Sequence, residues 1–320
     1  MLKGLALTPP VVGRISIGKL VEKSGMRLPE KDDEFTVTSQ VQNKDGWVNH
    51  PVDQTLRTAP GAKLRSIPVR LLFDDPDLNL RANYSLFDRK TGRPLCVGNG
   101  ETCRRSTLAG VETLPCPSPE GCELAEGGKC KPCGRLNVRI GDEDELGSFL
   151  FRTTGYNSIR TLSTRLKYFH AVSGGLLSTL PLELRLRGKS TTQSHRAPIY
   201  YVDLTVRTGM TLAEAIAGAR AEDEHRKGAG FNQVALEDAA RQGFANGAFE
   251  ESEEEGAAVI EEFYPDEFDS GSPGNSASVG NKPGLADKLN QKAAHRNAHS
   301  ASAPVTMSTR SPLHGRDELP

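Results

Sequence analysis

Six cysteines, Cys96, Cys103, Cys116, Cys122, Cys130 and Cys133, fall within 38 residues of a 320-residue chain, and none lies elsewhere. The gaps between them are six, twelve, five, seven and two residues. Disulfides do not persist in a reducing compartment, so thiols clustered in a Gly- and Pro-rich stretch point to a metal. Zn²⁺ takes four tetrahedral ligands and favours thiolate in structural sites. A stretch this poor in apolar residues draws little order from a core, and a bound metal would supply it. Only Cys130-Lys-Pro-Cys133 has two-residue spacing, and six thiols exceed four ligands, so which cysteines bind stays open. A four-thiolate iron–sulfur cluster suits the same spacing. A redox reading of the Cys130–Cys133 pair is weaker, because such a pair opens a helix and Gly134 leads into strand-like sequence. The alternative to a metal is a set of unbound thiols.

The second chemical signal is positive charge. Residues 148–207 hold nine Lys/Arg and two acidic residues. Arg152, Arg160, Arg165, Lys167, Arg185, Arg187, Lys189 and Arg196 form the candidate nucleic-acid surface, with Arg207 at its end. Arg185 and Arg187 are two apart and share a strand face. Phe151-Arg-Thr-Thr-Gly-Tyr-Asn-Ser-Ile-Arg160 gathers hydroxyls, an amide and two arginines at the entrance to a helix, a setting suited to a phosphate. For any one of these residues a solvated face, or a helix cap at Asn157 or Ser158, explains as much. The cluster is the stronger signal, because phosphate affinity scales with the number of charges neutralised.

Other motifs fail. Gly188-Lys189-Ser190 is no phosphate loop, since the position five before Gly188 is Glu183 and the context is a strand. Neither His-Glu-x-x-His nor Gly-x-Ser-x-Gly occurs. His170 and His195 stand apart, and Asp142-Glu-Asp-Glu145 reads as a solvated turn. With no catalytic constellation, the chain is read as a non-enzyme.

The elements that must position these groups follow from periodicity. Val11–Val21, Phe35–Val41, Ser66–Phe73 and Leu78–Phe87 read as strands, with Pro68 arguing for an edge position. Residues 94–134 show almost no periodicity and read as the cysteine loop. Arg135–Ile140 and Ser148–Arg152 resume as strands, and Asn157–Ala171 is an amphipathic helix with Ile159, Leu162, Leu166 and Phe169 at helical spacing. Leu180–Arg187 and Ile199–Val206 form a hairpin with a long polar loop. Thr211-Leu-Ala-Glu214 is a capping box that opens a helix to about Arg226, and a last helix runs from Asn232 to Phe244, stopping at Asn246-Gly247. The expected fold class is α+β: a β-rich domain over residues 1–249 with a Cys-rich zinc loop at 94–134 and late helices.

Residues 250–320 carry 6 Lys/Arg against 13 Asp/Glu, whereas residues 1–249 carry 34 against 28. Within 250–269 there are ten acidic residues, no Lys/Arg, and the aromatics Phe263, Tyr264 and Phe268. The remainder is Ser, Gly, Asn, Ala and Pro. This composition cannot offset chain entropy by burial, so 250–320 is expected to be a disordered tail, acidic and then Ser/Gly-rich. No apolar run is long enough to span a membrane, and Met1–Leu7 runs into Pro9-Pro10 without a signal-peptide core; a cytoplasmic location is expected.

Ser66-Ile-Pro-Val-Arg-Leu, the cysteine loop and Cys130-Lys-Pro-Cys-Gly-Arg-Leu136 together resemble the recombination directionality factor family of phages and integrative elements, over roughly residues 5–215. Relatives of this kind have been loosely labelled hydrolase or metal-binding proteins. The resemblance implies an accessory protein that docks on a serine integrase–DNA complex and changes which product is favoured, without cutting DNA. It also implies that Cys96, Cys116 and Cys130 match the family's cysteine segment and that Cys133 stands at a non-ligand position. This disagrees with the spacing, which favours the Cys130–Cys133 pair. The expectation is a zinc-stabilised accessory factor of site-specific recombination that binds integrase, DNA or both. The alternatives are a DNA-binding protein of element replication or recombination without an integrase partner and, last, a metal-dependent hydrolase.

Overall fold

The chain divides into two compact units, Met1–Ser270 and Gly271–Pro320. The computed structural model describes residues 10–23, 26–44, 46–142, 147–190, 192 and 198–244, all in the first unit. The expected tail over 250–320 and the helix stop at Asn246-Gly247 lie outside the described residues. No described helix is long and apolar enough to cross a membrane.

The fold is α+β, built on a twelve-stranded sheet with its longer helices late in the chain. The strands are β1 (Val11–Lys23), β2 (Met26–Asn43), β3 (Gly46–Asn49), β4 (Ser66–Leu71), β5 (Leu80–Phe87), β6 (Pro94–Gly98), β7 (Thr102–Thr107), β8 (Gly110–Pro115), β9 (Lys131–Ile140), β10 (Ser148–Thr153), β11 (Leu182–Ser190) and β12 (Pro198–Val206). The helices are α1 (Pro51–Leu56), α2 (Pro76–Asn79), α3 (Ser118–Gly121), α4 (Tyr156–Ser173), α5 (Leu212–Gly228) and α6 (Gln233–Phe244). One path runs β3-β2-β1-β10-β9-β5-β6-β7-β8, and a branch runs from β9 through β4 and β11 to β12. β9 is the junction. It pairs with β10 on one side, and on the other with β5 along Lys131–Leu136 and β4 along Val138–Ile140.

Alternation along each strand sets the two faces. On β4, Ile67, Val69 and Leu71 are buried while Ser66, Pro68 and Arg70 are only partly so. On β9, Leu136 and Val138 join that same core, which also takes Ile15, Phe35, Phe151, Leu182 and Leu184. The sheet curls round this face: Phe35 N–H donates to Leu64 O at 2.6 Å, and β2 comes against β11. Helix α4 fills the enclosed space with Ile159, Leu162, Leu166 and Phe169, as the helical spacing anticipates. Gly134 permits this approach, since a Cβ there would stand 2.8 Å from Ile159 Cγ1.

Three local expectations change. The 94–134 segment forms a meander of three strands rather than a loop, its pairing carried by backbone groups that need no apolar alternation. Helix α1 interrupts the early strands, opened by Pro51 and capped by His50, whose Nδ1 accepts from Val52 N–H at 3.3 Å. Pro68 is not on an edge, because β4 lies between β9 and β11. Its carbonyl accepts from Gly141 N–H at 3.0 Å, so its ring nitrogen also faces the point where β9 gives way to the Gly141 turn. A missing donor costs nothing there.

The capping box is present: Glu214 N–H donates to Thr211 Oγ1 at 3.2 Å, and Thr211 N–H to Glu214 Oε2 at 2.7 Å. Helix α6 docks on the Asp74-Asp75 turn. Asp74 N–H donates to Glu237 Oε1 at 2.6 Å, and Arg241 pairs with Asp75 at 3.1 Å.

A buried ionic knot ties α1 to the sheet. Asp53, 1% exposed, accepts from Val37 N–H at 2.9 Å and from Arg57 Nε at 2.7 Å. Arg57 also reaches Glu34 at 2.6 Å and Ala62 O at 2.8 Å. Removing Asp53 leaves the buried Val37 N–H without its acceptor and Arg57 with Glu34 as its remaining carboxylate partner here, so Asp53→Ala is expected to cost about 1–3 kcal/mol. Urea denaturation measures this, and a loss under about 1 kcal/mol would mean that the knot is not a keystone.

Candidate functional site

The meander β6–β7–β8 gathers cysteines by register alone. Cys103 lies opposite Gly98 on β6 and Leu114 on β8, so those three share a face. Two residues from Gly98 is Cys96, two from Cys103 is Arg105, and two from Leu114 is Cys116. By the period of two, Cys96, Cys103, Cys116 and Arg105 occupy one side. Gly98 makes room for them: a Cβ there would stand 2.7 Å from Cys103 Cβ and 2.8 Å from Cys116 Sγ. The chain then turns through α3 and a 3-10 turn at Glu123–Gly128, bringing Cys122 and Cys130 back toward the same thiols. Burial pushes the Cys130 thiol up to about 12, reinforced by Cys96, Cys122, Cys116 and Cys103 in that order. Burial also pushes Cys103 up to about 11, with Cys96 beside it. The Arg105 guanidinium is raised chiefly by its hydrogen bond to Cys96, and its Nη2 is 4.0 Å from Cys103 Sγ.

Five of the six predicted cysteines therefore share one neighbourhood. Cys133 does not. It pairs with Asn83 on β5, while Leu86 on that strand pairs with Cys96, so Cys133 and Cys96 project from opposite faces. Thiols beside a guanidinium are the right donor chemistry for a soft divalent metal. Among the described residues, no three His, Cys, Asp or Glu side chains stand in a position to hold one ion. The structure thus shows a converged thiol group rather than a closed tetrahedron.

The predicted basic residues separate into two places. Arg165 pairs with Asp203 at 2.9 Å and Arg187 with the same carboxylate at 3.4 Å. Lys189 Nζ donates to Asn157 Oδ1 at 2.7 Å and lies 5.8 Å from the Tyr201 ring centroid. Arg160 and Lys167 are exposed on α4, as are Tyr156 and Tyr168. These form one cationic and aromatic surface on α4 and the β11–β12 hairpin. Neither Asn157 nor Ser158 caps α4: Gly155 is the cap, and Ser158 Oγ accepts from Val202 N–H at 3.1 Å. Arg185 is held by Glu183 and Thr208. Burial alone would raise the Glu183 carboxyl, but the Thr208 N–H and Arg185 outweigh it and hold it below the usual range. Arg196 lies outside the described residues.

Arg152 belongs elsewhere. It faces Arg135 on β9, which in turn faces Arg81 on β5. Arg139 faces Arg70 on β4. Arg14 on β1 pairs with Leu150, which pairs with Asn137 on that same outward side. Lys131, and Arg104 opposite Val97, extend the row outward. Strands β4, β5, β6, β7, β9 and β10 contain no acidic residue. The sheet is thus apolar inside and arginine-lined outside. Sequence reasoning missed this face, although the alternation Arg135-x-Asn137-x-Arg139 in acid-free strands carries the signal.

Comparison with known proteins adds a family. The profile of the Gp3-like family, described as recombination directionality factor-like, matches residues 12–207. The chain belongs to this family. No curated protein and no solved structure matches it significantly. The match to the Gp3-like family starts in β1 and ends just after β12, so it takes in the whole sheet, the cysteine meander and both basic surfaces. Helices α5 and α6 and everything after them lie beyond it. Membership places this Gp3-like chain with the DNA-recombination functions of phages and mobile elements.

Gly98 is the position on which the thiol convergence turns. In this Gp3-like protein Gly98→Val is expected to destabilise the meander by about 1–3 kcal/mol through overpacking. Amide hydrogen exchange should rise within residues 94–130 while the core of β4, β9 and β11 stays protected. Unchanged exchange there would show that the close approach of Cys116 to Gly98 is unimportant.

Proposed function

We propose that this protein is a zinc-stabilised recombination directionality factor that binds a serine integrase and shifts which recombination product it favours. The observation that carries the reading is the family match across the entire sheet. Such a factor needs no catalytic group. It needs to bind one conformation of its partner better than another, because only differential affinity moves an equilibrium. Moving a balance from about 1:99 to 99:1 takes about 5.5 kcal/mol, a quantity that a few well-packed apolar anchors can supply.

The cysteine meander offers such anchors. Leu95, Leu108, Val111 and Leu124 are all exposed on it, and Leu108 sits fully exposed at the β7–β8 tip. A small lobe displaying leucines at the edge of a sheet fits a protein partner better than a phosphate backbone. The surface on α4 and the β11–β12 hairpin, with Arg160, Lys167, Arg187 and Lys189, is the reading's DNA contact within the integrase–DNA complex.

Zinc completes the reading. Four of the five converged thiols, Cys96, Cys103, Cys116, Cys122 and Cys130, would hold it, with Cys133 outside the set. Bound zinc would supply cross-linking of three strands and two turns that otherwise share few apolar contacts. Metal analysis with thiol titration should give one zinc per chain and four protected thiols, released together by a chelator. Iron with visible absorbance, or six freely reactive thiols and no metal, would remove zinc from the reading.

The function itself is tested by recombination with the cognate integrase on plasmids carrying either the substrate or the product sites. Adding the full-length protein should open the reverse reaction and suppress the forward one. Leu108→Glu with Val111→Glu should lower that effect by at least about tenfold, the worth of one lost apolar anchor, without changing the melting temperature. No effect on either direction, with salt-sensitive DNA binding retained, would favour the DNA-binding alternative over an integrase partner.

A further inference from the structure

Four exposed residues of α4 stand in one line. Tyr156, Arg160, Thr164 and Tyr168 follow each other at intervals of four, so they form a single ridge along the helix surface. Its ends lie about 18 Å apart at the helical rise. Tyr156 is 61% exposed and Tyr168 48%. Among the described residues the one ring contact at either is that of Phe169 with Tyr168, T-shaped at 5.4 Å. Charge around the ridge is one-sided. Helix α4 with β11 and β12 holds six Lys/Arg against two acidic residues, and α4 itself holds no acid. Of the two carboxylates, Glu183 is taken by Arg185, and Asp203 is shared between Arg165 and Arg187. Lys189 bonds to the neutral amide of Asn157. Arg160 and Lys167 have no partner among the described residues.

We infer that this ridge binds single-stranded DNA, Tyr156 and Tyr168 each stacking on a base while Arg160 and Lys167 meet the phosphates. The inference rests on the DNA contact proposed above and names its form. Charge complementarity is the first support: four positive charges in excess suit a phosphate chain, and two of the cations are not engaged within the protein. The open rings are the second. Cationic grooves that hold single strands pair charge with aromatic side chains, because every unstacked base has a face to offer. A duplex keeps those faces inside its own stack and would bring only sugar and phosphate to the two tyrosines. The middle of the ridge is the third. Thr164 Oγ1 donates to Arg160 O at 2.9 Å, so its hydroxyl is already bonded and Arg160 is the one side chain there suited to reading a base edge. A ridge so built holds a strand by stacking and charge, with little preference for sequence.

The test uses the full-length protein with a short oligothymidylate, and a duplex of the same length for comparison. Fluorescence anisotropy should show the single strand bound at least about tenfold more tightly than the duplex, the worth of one stacked base. Tyr156→Ala with Tyr168→Ala should weaken single-strand binding by about tenfold or more, leaving the melting temperature unchanged because both rings are exposed. Arg160→Ala with Lys167→Ala should instead flatten the slope of log affinity against log salt by about 1.4, two charges at about 0.7 each. On the unaltered chain, an oligonucleotide carrying 5-iodouracil should cross-link to Tyr156 or Tyr168 under ultraviolet light, a carbon–carbon bond replacing carbon–iodine with loss of hydrogen iodide. Peptide mapping locates that bond and decides the matter if a variant fails to fold. Duplex bound as tightly as the single strand, with the tyrosine changes silent, would overturn the proposal. So would the absence of oligonucleotide binding, or cross-links that avoid both tyrosines. Tyrosine changes that abolish integrase docking and leave oligonucleotide binding intact would make the ridge a protein contact and overturn it as well. The oligonucleotide measurements need no integrase, so their failure is distinct from failure of the directionality reading.

Discussion

β9 is the constraint on which everything else rests. Among the described residues it is the one strand with three sheet neighbours, and through β5 it joins the curled core to the outlying meander. Its inward residues, Leu136 and Val138, are fully buried, and its outward residues, Arg135 and Arg139, carry charge. A one-residue slip in its pairing would put arginine into the core and leucine outside. Register along β9 therefore fixes both the packing and the electrostatics of the molecule, and neighbouring strands inherit the same division through their pairing with it.

The two ends of β9 serve different ends of the molecule. At its start, Cys130 joins the thiol group and Lys131 begins the cationic row, one residue apart and projecting differently. At its finish, Ile140 meets Val69 and hands over to Gly141 and Asp142, and the Asp142 carboxyl bridges Arg207 and Arg70. The hydrogen bond from Arg207, then that from Arg70, holds this carboxyl well below its usual range. Its contribution is therefore complete at neutral pH and is lost progressively as pH falls from the ordinary carboxylate range toward the depressed value. The bridge ties the end of β9 to β4 and to the residue that follows β12, closing the branch that the covalent chain leaves open.

Much of this is legible in the sequence, and the parts that are not share a cause. The strands of the core announce themselves by period two, as in Ile67-x-Val69-x-Leu71, and α4 by its spacing from Ile159 to Phe169. The α5 cap is visible in Thr211 and Glu214 because capping is local chemistry. The meander is not legible, since β8 is the end strand of its path and neither β7 nor β8 carries an alternating apolar pattern. The edge position inferred for Pro68 fails because edge status belongs to one nitrogen rather than to a whole strand. The cysteine cluster could be foreseen from composition, whereas spacing favoured Cys133 and the family resemblance set it aside, and register places it on the face opposite Cys96. The basic stretch misled in a similar way. Counting charges along 148–207 placed Arg152 with Lys189, but the sheet turns them to different sides, and Arg152 finds Arg135 and Arg81 instead.

That division would give the proposed partner-binding factor a use for a sheet this large. The meander has almost no core of its own: among its buried apolar groups are Cys103, from β7, and Ala125, from the turn that follows β8. Left to hydrophobic packing, a three-stranded edge of this kind would open locally at little cost. The anchorage of β6 to β5 holds it on one side, and the proposed zinc would hold it on the other. Stability is thus concentrated in the curled core, where burial is complete, and the recognition proposed for the meander would fall where burial is poorest. An edge lobe with so little core of its own, held by the proposed ion, would display Leu108 and Val111 without risking the fold, because their exposure subtracts nothing from the packing of β4, β9 and β11.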